Sequence, residues 1–196
     1  MPGGICFLMV KKIDKKKELH DQIEIENNII CSIENGEIKM KKDDREIKRK
    51  LNPLIDIKID GNKIILSSKK SSRNEKKIFG TMRAHIKNML LGLHTPFQYK
   101  LQVSNVHFPM TVEVDKNNNE LIIKNFLGEK KDRRIKIADN VDIKVNKDII
   151  EVESFDIEKA GQVATNIEKG ARVTNKDRRI FQDGIFLIKK PNRSFL

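Results

Sequence analysis

A stretch near the middle of the chain, Asp56-Ile-Lys-Ile-Asp-Gly-Asn-Lys-Ile-Ile65, returns as Asp142-Ile-Lys-Val-Asn-Lys-Asp-Ile-Ile150, one residue shorter. Each copy alternates apolar and polar residues, turns, and alternates again, which is the signature of paired strands. Each copy is also followed by a helical pattern. Ile78, Met82, Ile86, Met89 and Leu90 share one face of a helix expected over Glu75–Leu91, with Gly92 as its stop. Ile157, Ala160, Ala164 and Ile167 share one face of a second, over Asp156–Lys169. Gly80 and Ile86 match Gly161 and Ile167, and Gly36-Glu37 matches Gly128-Glu129 upstream. Such a repeat restricts the fold to a duplicated strands-then-helix unit. The fold class expected is therefore α+β, in two tandem duplicated domains, each a small antiparallel sheet packed on one helix.

The rest of the chain fits this frame. Strands are expected over 21–26, 29–33, 37–41, 46–51, 54–59 and 63–68. The second half should hold them over 99–106, 110–115, 121–126, 134–137, 141–146 and 149–153. Glu34-Asn35-Gly36 and Asn117-Asn118-Asn119 are hairpin turns. Asp183-Gly184 is a further turn signal, and Ile185–Ile188 reads as a buried strand. Residues 1–20 stand apart as a basic extension, with Pro2-Gly3-Gly4 and the lysines of 11–17. The expected division is 1–20 extension, 21–100 first repeat, 101–189 second repeat, and 190–196 tail.

Charge sets the chemistry. The formal net charge is +12 and the sequence pI is near 9.6. That is the footprint of a nucleic-acid binder. The cations are also clustered: 39–50 holds seven with three acids, 69–77 five with one, 124–134 five with two, and 169–179 five with one. The last two are tied to structural punctuation. One surrounds Gly128; the other runs Lys176-Asp-Arg-Arg179 into Asp183-Gly184. Because the halves are duplicates, these two loops are expected to converge on one phosphate-binding surface. Arg suits that role because its planar fork binds phosphate bidentately.

Other chemistries lack their residues. Cys6 and Cys31 form no C-x-x-C pair, and His20, His85, His94 and His107 are scattered. There is no G-x-S-x-G, no Walker loop and no defined carboxylate pair. No enzyme, cofactor, metal or small-molecule substrate is expected. No apolar run approaches the roughly 18 residues a membrane helix needs, so no membrane partner is expected and the location expected is intracellular.

Three blocks carry a family resemblance. Lys176-x-x-Arg179-x-Phe181-x-Asp183-Gly184-Ile185-Phe186-x-x-Lys189 resembles the closing signature of the large-subunit ribosomal protein L-six family, in its eukaryotic and archaeal branch (called L-nine in eukaryotes). Asn125-Phe-Leu-Gly-Glu-Lys130 resembles a second block of that family. Met82-Arg-Ala-His-Ile-Lys-Asn-Met-Leu-Leu-Gly92, with Phe97-Gln-Tyr-Lys100 and His107-Phe-Pro109, resembles a third. The resemblance spans about residues 21–189. It implies two duplicated α+β domains and a structural role in the large ribosomal subunit. It also implies binding of large-subunit ribosomal RNA near the sarcin–ricin loop and the factor-binding region. Neighbouring ribosomal proteins and translation factors are the implied partners. The implied location is the cytoplasmic ribosome, and the nucleolus during assembly.

The family's main RNA grip, in its C-terminal domain, maps onto Lys130, Lys131, Arg133, Arg134, Lys176, Arg178 and Arg179. Lys124 and Arg172 join them from the basic clusters, and Lys189 closes the signature. Three departures stand out. Lys42-Asp-Asp-Arg45 replaces the family's usual Gly-Pro-x-Gly turn, Lys169 stands where glutamine is usual, and the extension has no family counterpart. Two other readings remain open. An extraribosomal basic module, binding nucleic acid or acidic proteins, needs only the charge. A small RNA-processing enzyme needs a catalytic group that isolated His and Asp do not supply.

Overall fold

Alternating burial along short strands builds the first unit. The computed structural model describes residues 19–25, 28–43, 45–191 and 193–195, so the extension over 1–18 and Cys6 lie outside the described residues. Strands β1 (Leu19–Glu24), β5 (Asp56–Asp60) and β6 (Lys63–Ser68) form a three-stranded antiparallel sheet in the order β1-β6-β5. Strands β2 (Ile30–Glu34), β3 (Glu37–Lys42) and β4 (Arg45–Lys50) form a second sheet in the order β2-β3-β4. Helix α1 (Arg73–His94) closes the unit, burying Met82, Ile86, Met89 and Leu93 against Ile38, Met40, Ile64 and Leu66. Each of those last four is fully buried, and so is Ile86.

The second unit repeats this plan. Strands β8 (Thr111–Asp115), β9 (Glu120–Lys124) and β10 (Arg133–Lys136) form one sheet. Strands β7 (Phe97–Ser104), β11 (Asp142–Asn146) and β12 (Ile149–Ser154) form the other. That sheet gains β13 (Gly184–Lys190) and β14 (Arg193–Ser194), giving the order β11-β12-β7-β13-β14. Helix α2 (Ile157–Gly170) buries Ala160, Val163, Ala164 and Ile167 in a second core of its own. The α+β class and the duplication hold. Each unit divides its strands between two sheets, where the sequence pointed to one.

The repeat is cleaner in space than in sequence. Asp60 pairs with Lys63, and Asn146 with Ile149, so both turns have the same length and no residue is missing from the second copy. Ile64 then matches Ile150 and Leu66 matches Val152, all fully buried. Even the buried hydroxyls Ser68 and Ser154 coincide. Gly36-Glu37 matches Asn119-Glu120, each opening the middle strand of its sheet, and not Gly128-Glu129. Gly80 has open space around it, whereas a Cβ on Gly161 would lie 3.0 Å from the Tyr99 hydroxyl. Only the second glycine serves close packing.

Helix ends depart from expectation for local reasons. Ser72 and Glu75 form a capping box, which starts α1 at Arg73. Gly92 does not stop the helix. α1 runs on to His94, and the Thr95 amide bonds the Leu91 carbonyl just before Pro96. Gly92 is glycine because the backbone of Phe155 presses on it. An added Cβ would lie 2.0 Å from that residue's carbonyl oxygen. The boundary expected after residue 100 falls inside β7, whose pairing with β12 and β13 starts the second unit at Phe97. At the other limits, Leu19 and His20 belong to β1, and β14 folds back on Lys189 and Lys190. Lys42 pairs with Arg45, and Asp43 lies at φ 52°.

The two units meet along a seam. Phe155, just before α2, packs on the first unit's core with the Arg45 guanidinium 4.1 Å above its ring. Glu158 pairs with Arg49 and lies 2.9 Å from His85 Nδ1. The seam is at the N-terminal end of α2. Fourteen residues of helix, at about 1.5 Å each, put its other end roughly 21 Å away. The cationic loops gather there.

Candidate nucleic-acid interface

Arg133 builds the interface without facing outward. Its Nε and Nη2 donate to Glu129 at 2.8 and 2.5 Å, and its Nη1 donates to the carbonyls of Gly170 (2.9 Å) and Arg172 (3.1 Å). The guanidinium also lies 3.9 Å above the buried Phe126 ring. It therefore ties the 126–134 loop to the C-terminal end of α2, where a cation also meets the helix's free carbonyls. The hydrogen bond from Arg133 holds the Glu129 carboxyl below its usual value against burial, and Lys176 adds to the effect through space. The two loops thus converge. Gly170 permits the approach, since a Cβ there would lie 2.5 Å from Ile135 Cδ1.

Replacing Arg133 with Ala should cost about 1.5–3 kcal/mol, the range for hydrogen bonds to charged groups. Lys should not restore it, because an ammonium cannot reproduce the fork. Urea unfolding measures both; an Arg133→Lys protein as stable as the parent would contradict the clamp.

A second lock sits across the loop cluster. Asp183, only 3% exposed, accepts the amides of Val106 (2.7 Å) and His107 (2.9 Å) on Oδ1. His107 Nδ1 lies 2.5 Å from Oδ2. An ionised carboxylate only accepts, so Nδ1 carries the proton. Burial raises the Asp183 carboxyl, but these bonds from His107 and Val106 outweigh it and hold it below its usual value. The His107 ring stacks on Phe181 with centroids 4.8 Å apart, and Lys176 Nζ lies 4.5 Å from the centroid of the Phe181 ring. Asp183-Gly184 is thus not a turn. The chain turns at 178–180, where Asp177 accepts the amides of Arg179, Ile180 and Phe181. The lock was not legible in the sequence, because its two halves lie 76 positions apart.

The outward cations follow from these two locks. Lys130, Lys131, Arg172, Arg178 and Arg179 are exposed, and among the described residues none has an ion pair. Arg134 is exposed beside Glu120 at 3.7 Å, and Lys124 bonds Glu113 at 2.7 Å on the adjoining sheet. Lys189 is not brought into the cluster. It lies five residues along β13 from Gly184, roughly 17 Å at strand rise. The strand itself is less buried than expected: Ile185 is interior, but Phe186 is 38% exposed. Among the described residues, no group of three or more His, Cys, Asp or Glu could hold a metal ion.

Comparison with known proteins shows the family of the chain. The family model described as "Ribosomal protein L6" matches residues 108–184. The "Large ribosomal subunit protein uL6" of Methanococcus vannielii is 38% identical over 176 residues, covering 89% of this chain and 96% of that protein. The protein of the same description from Nanoarchaeum equitans is 44% identical over 184 residues, covering 89% and 95%. That from Haloarcula marismortui is 35% identical over 173 residues, covering 88% and 96%. The chain belongs to the ribosomal protein L6 family. The family match contains Arg133, Asp183 and every expected cation except Lys189.

Proposed function

We propose that this chain is a structural component of the large ribosomal subunit, gripping ribosomal RNA with the loops at the C-terminal end of α2. One observation carries the reading: Arg133 ties the 126–134 loop to Gly170 and Arg172, and Asp183 pins the end of the 176–183 loop to Val106 and His107, while Lys130, Lys131, Arg172, Arg178 and Arg179 stay exposed. Rigid loops lose little entropy on binding, so the charge is presented ready for phosphates. Lys176 and Arg134 extend the surface, with Lys124 at its margin. Recognition by shape and sugar–phosphate contacts suits packed RNA helices. The RNA engaged is the region of the sarcin–ricin loop, with neighbouring ribosomal proteins and translation factors close by. In a nucleated cell, assembly begins in the nucleolus. These finer assignments rest on the family resemblance.

Replacing both Arg178 and Arg179 with Ala removes two phosphate contacts and no internal bond of the guanidinium groups. The slope of log affinity against log salt should flatten by about 1.4–1.8, with the melting temperature unchanged. Occupancy in purified large subunits should fall. Full occupancy and an unaltered slope would place the grip elsewhere; recovery of the parent protein away from subunits would favour an extraribosomal module.

A further inference from the structure

A groove of about 760 Å³ runs beside the same loops, between the end of α2, the 178–183 loop and the start of β13. Its size falls in the range that holds small ligands. Lys169, Arg172, Arg178 and Arg179 line it, against two acids, Glu168 and Asp183. Asp183 is buried and committed to Val106 and His107. The groove therefore favours an anion. Another groove of similar size, about 670 Å³, lies at the seam between the units. It carries Glu46, Asp139, Asp142 and Asp156 against Arg45, Lys48 and Lys159, so it has no such bias.

The first groove also has an aromatic wall. Phe186 lines it and is 38% exposed, in a strand whose preceding apolar residue is buried. Its ring lies close over Gly184: a Cβ there would be 3.1 Å from Phe186 Cζ and 3.3 Å from the Ala171 carbonyl. A phosphate alone needs only the cations. An aromatic face beside arginine planes is what an unstacked base needs.

We propose that this groove holds one unpaired nucleotide of the bound RNA, its base stacked on Phe186 and its phosphate held by the rim arginines. The proposal rests on the RNA-binding reading above and adds a point of recognition to it. Lys169 lengthens the cationic rim on the α2 side.

The test uses the full-length protein and two RNA hairpins with the same stem, one carrying a single bulged adenosine. Total large-subunit ribosomal RNA, run alongside, reads the RNA-binding function itself. The parent protein should prefer the bulged hairpin by about tenfold, the scale of one base–aromatic stack. Phe186→Leu, which keeps the apolar bulk, should abolish that preference while leaving plain-stem affinity, salt slope and melting temperature alone. Phe186→Tyr should retain it. Equal affinity of the parent for both hairpins, or a preference that survives Phe186→Leu, overturns the groove assignment while tight binding of total ribosomal RNA leaves the broader function standing. No binding to any of these RNAs overturns both.

Discussion

Gly92→Ala should destabilise the protein by at least about 2 kcal/mol, although alanine is the better helix former. In an open helix the exchange would gain roughly 1 kcal/mol. Here the new methyl would sit 2.0 Å from the Phe155 carbonyl oxygen and 3.0 Å from Phe97 Cε2. The nearest obstacle is backbone at the start of α2, which cannot rotate aside. Overpacking of this kind costs about 1–3 kcal/mol, sometimes more, and a backbone obstacle belongs at the upper end. For a chain of this length the melting temperature should fall by about 4–8 °C. Relief requires α1 to back away from Phe155, which pulls that ring from the first core and opens the Arg49–Glu158–His85 contacts. The second core shares no buried residue with the first and should survive. Protease should then cut between the units, near Thr95–Pro96, while RNA binding by the α2 loops persists. A Gly92→Ala protein that melts like the parent and resists cleavage would mean the seam is looser than its geometry indicates.

The repeat was legible because strand alternation and hairpin turns are local signals. Ile57, Ile59, Ile143 and Val145 announce their strands within five residues, and the structure confirms each. What the sequence could not convey was alignment between the copies. A one-residue gap brings Ile65 opposite Ile150 and looks better by letters, yet the paired strands match Ile64 with Ile150. The split into two sheets per unit was hidden because pairing partners such as β1 and β6 are distant in the chain. Gly92 and Gly184 mislead by local rules, in which glycine signals a stop or a turn: Gly92 answers to the distant Phe155 backbone, and Gly184 to the Phe186 ring two residues on and the Ala171 carbonyl. The cationic cluster was legible as composition. That Arg133 faces inward while Arg178 and Arg179 face outward depends on Glu129, Gly170 and Arg172 arriving together, which no local window shows.

Loss of the Asp183 carboxylate should have an effect as large as that of Gly92→Ala, and on a different property. Asp183→Ala leaves the amides of Val106 and His107, and the imidazole, without their acceptor. A buried donor left unmatched costs about 1–3 kcal/mol, so the sum should be roughly 3 kcal/mol or more. Asp183→Asn keeps an oxygen for the two amides and should cost less. Since folding holds this carboxyl below its usual value, its contribution is present above the unfolded value near 3.9. It is lost as pH falls through the lower folded value. The stability gap between the parent and Asp183→Asn should therefore be full at pH 7 and close below about pH 4. The loops should loosen together: Val106 and His107 amides should exchange faster with solvent, and Phe181 should lose its stack. RNA affinity should then fall although no cation has been removed, whereas Arg178 and Arg179 act on binding with stability intact. Slow exchange at both amides in Asp183→Ala would show that the loops are held by something other than this carboxylate, and the preorganised grip would lose its main support.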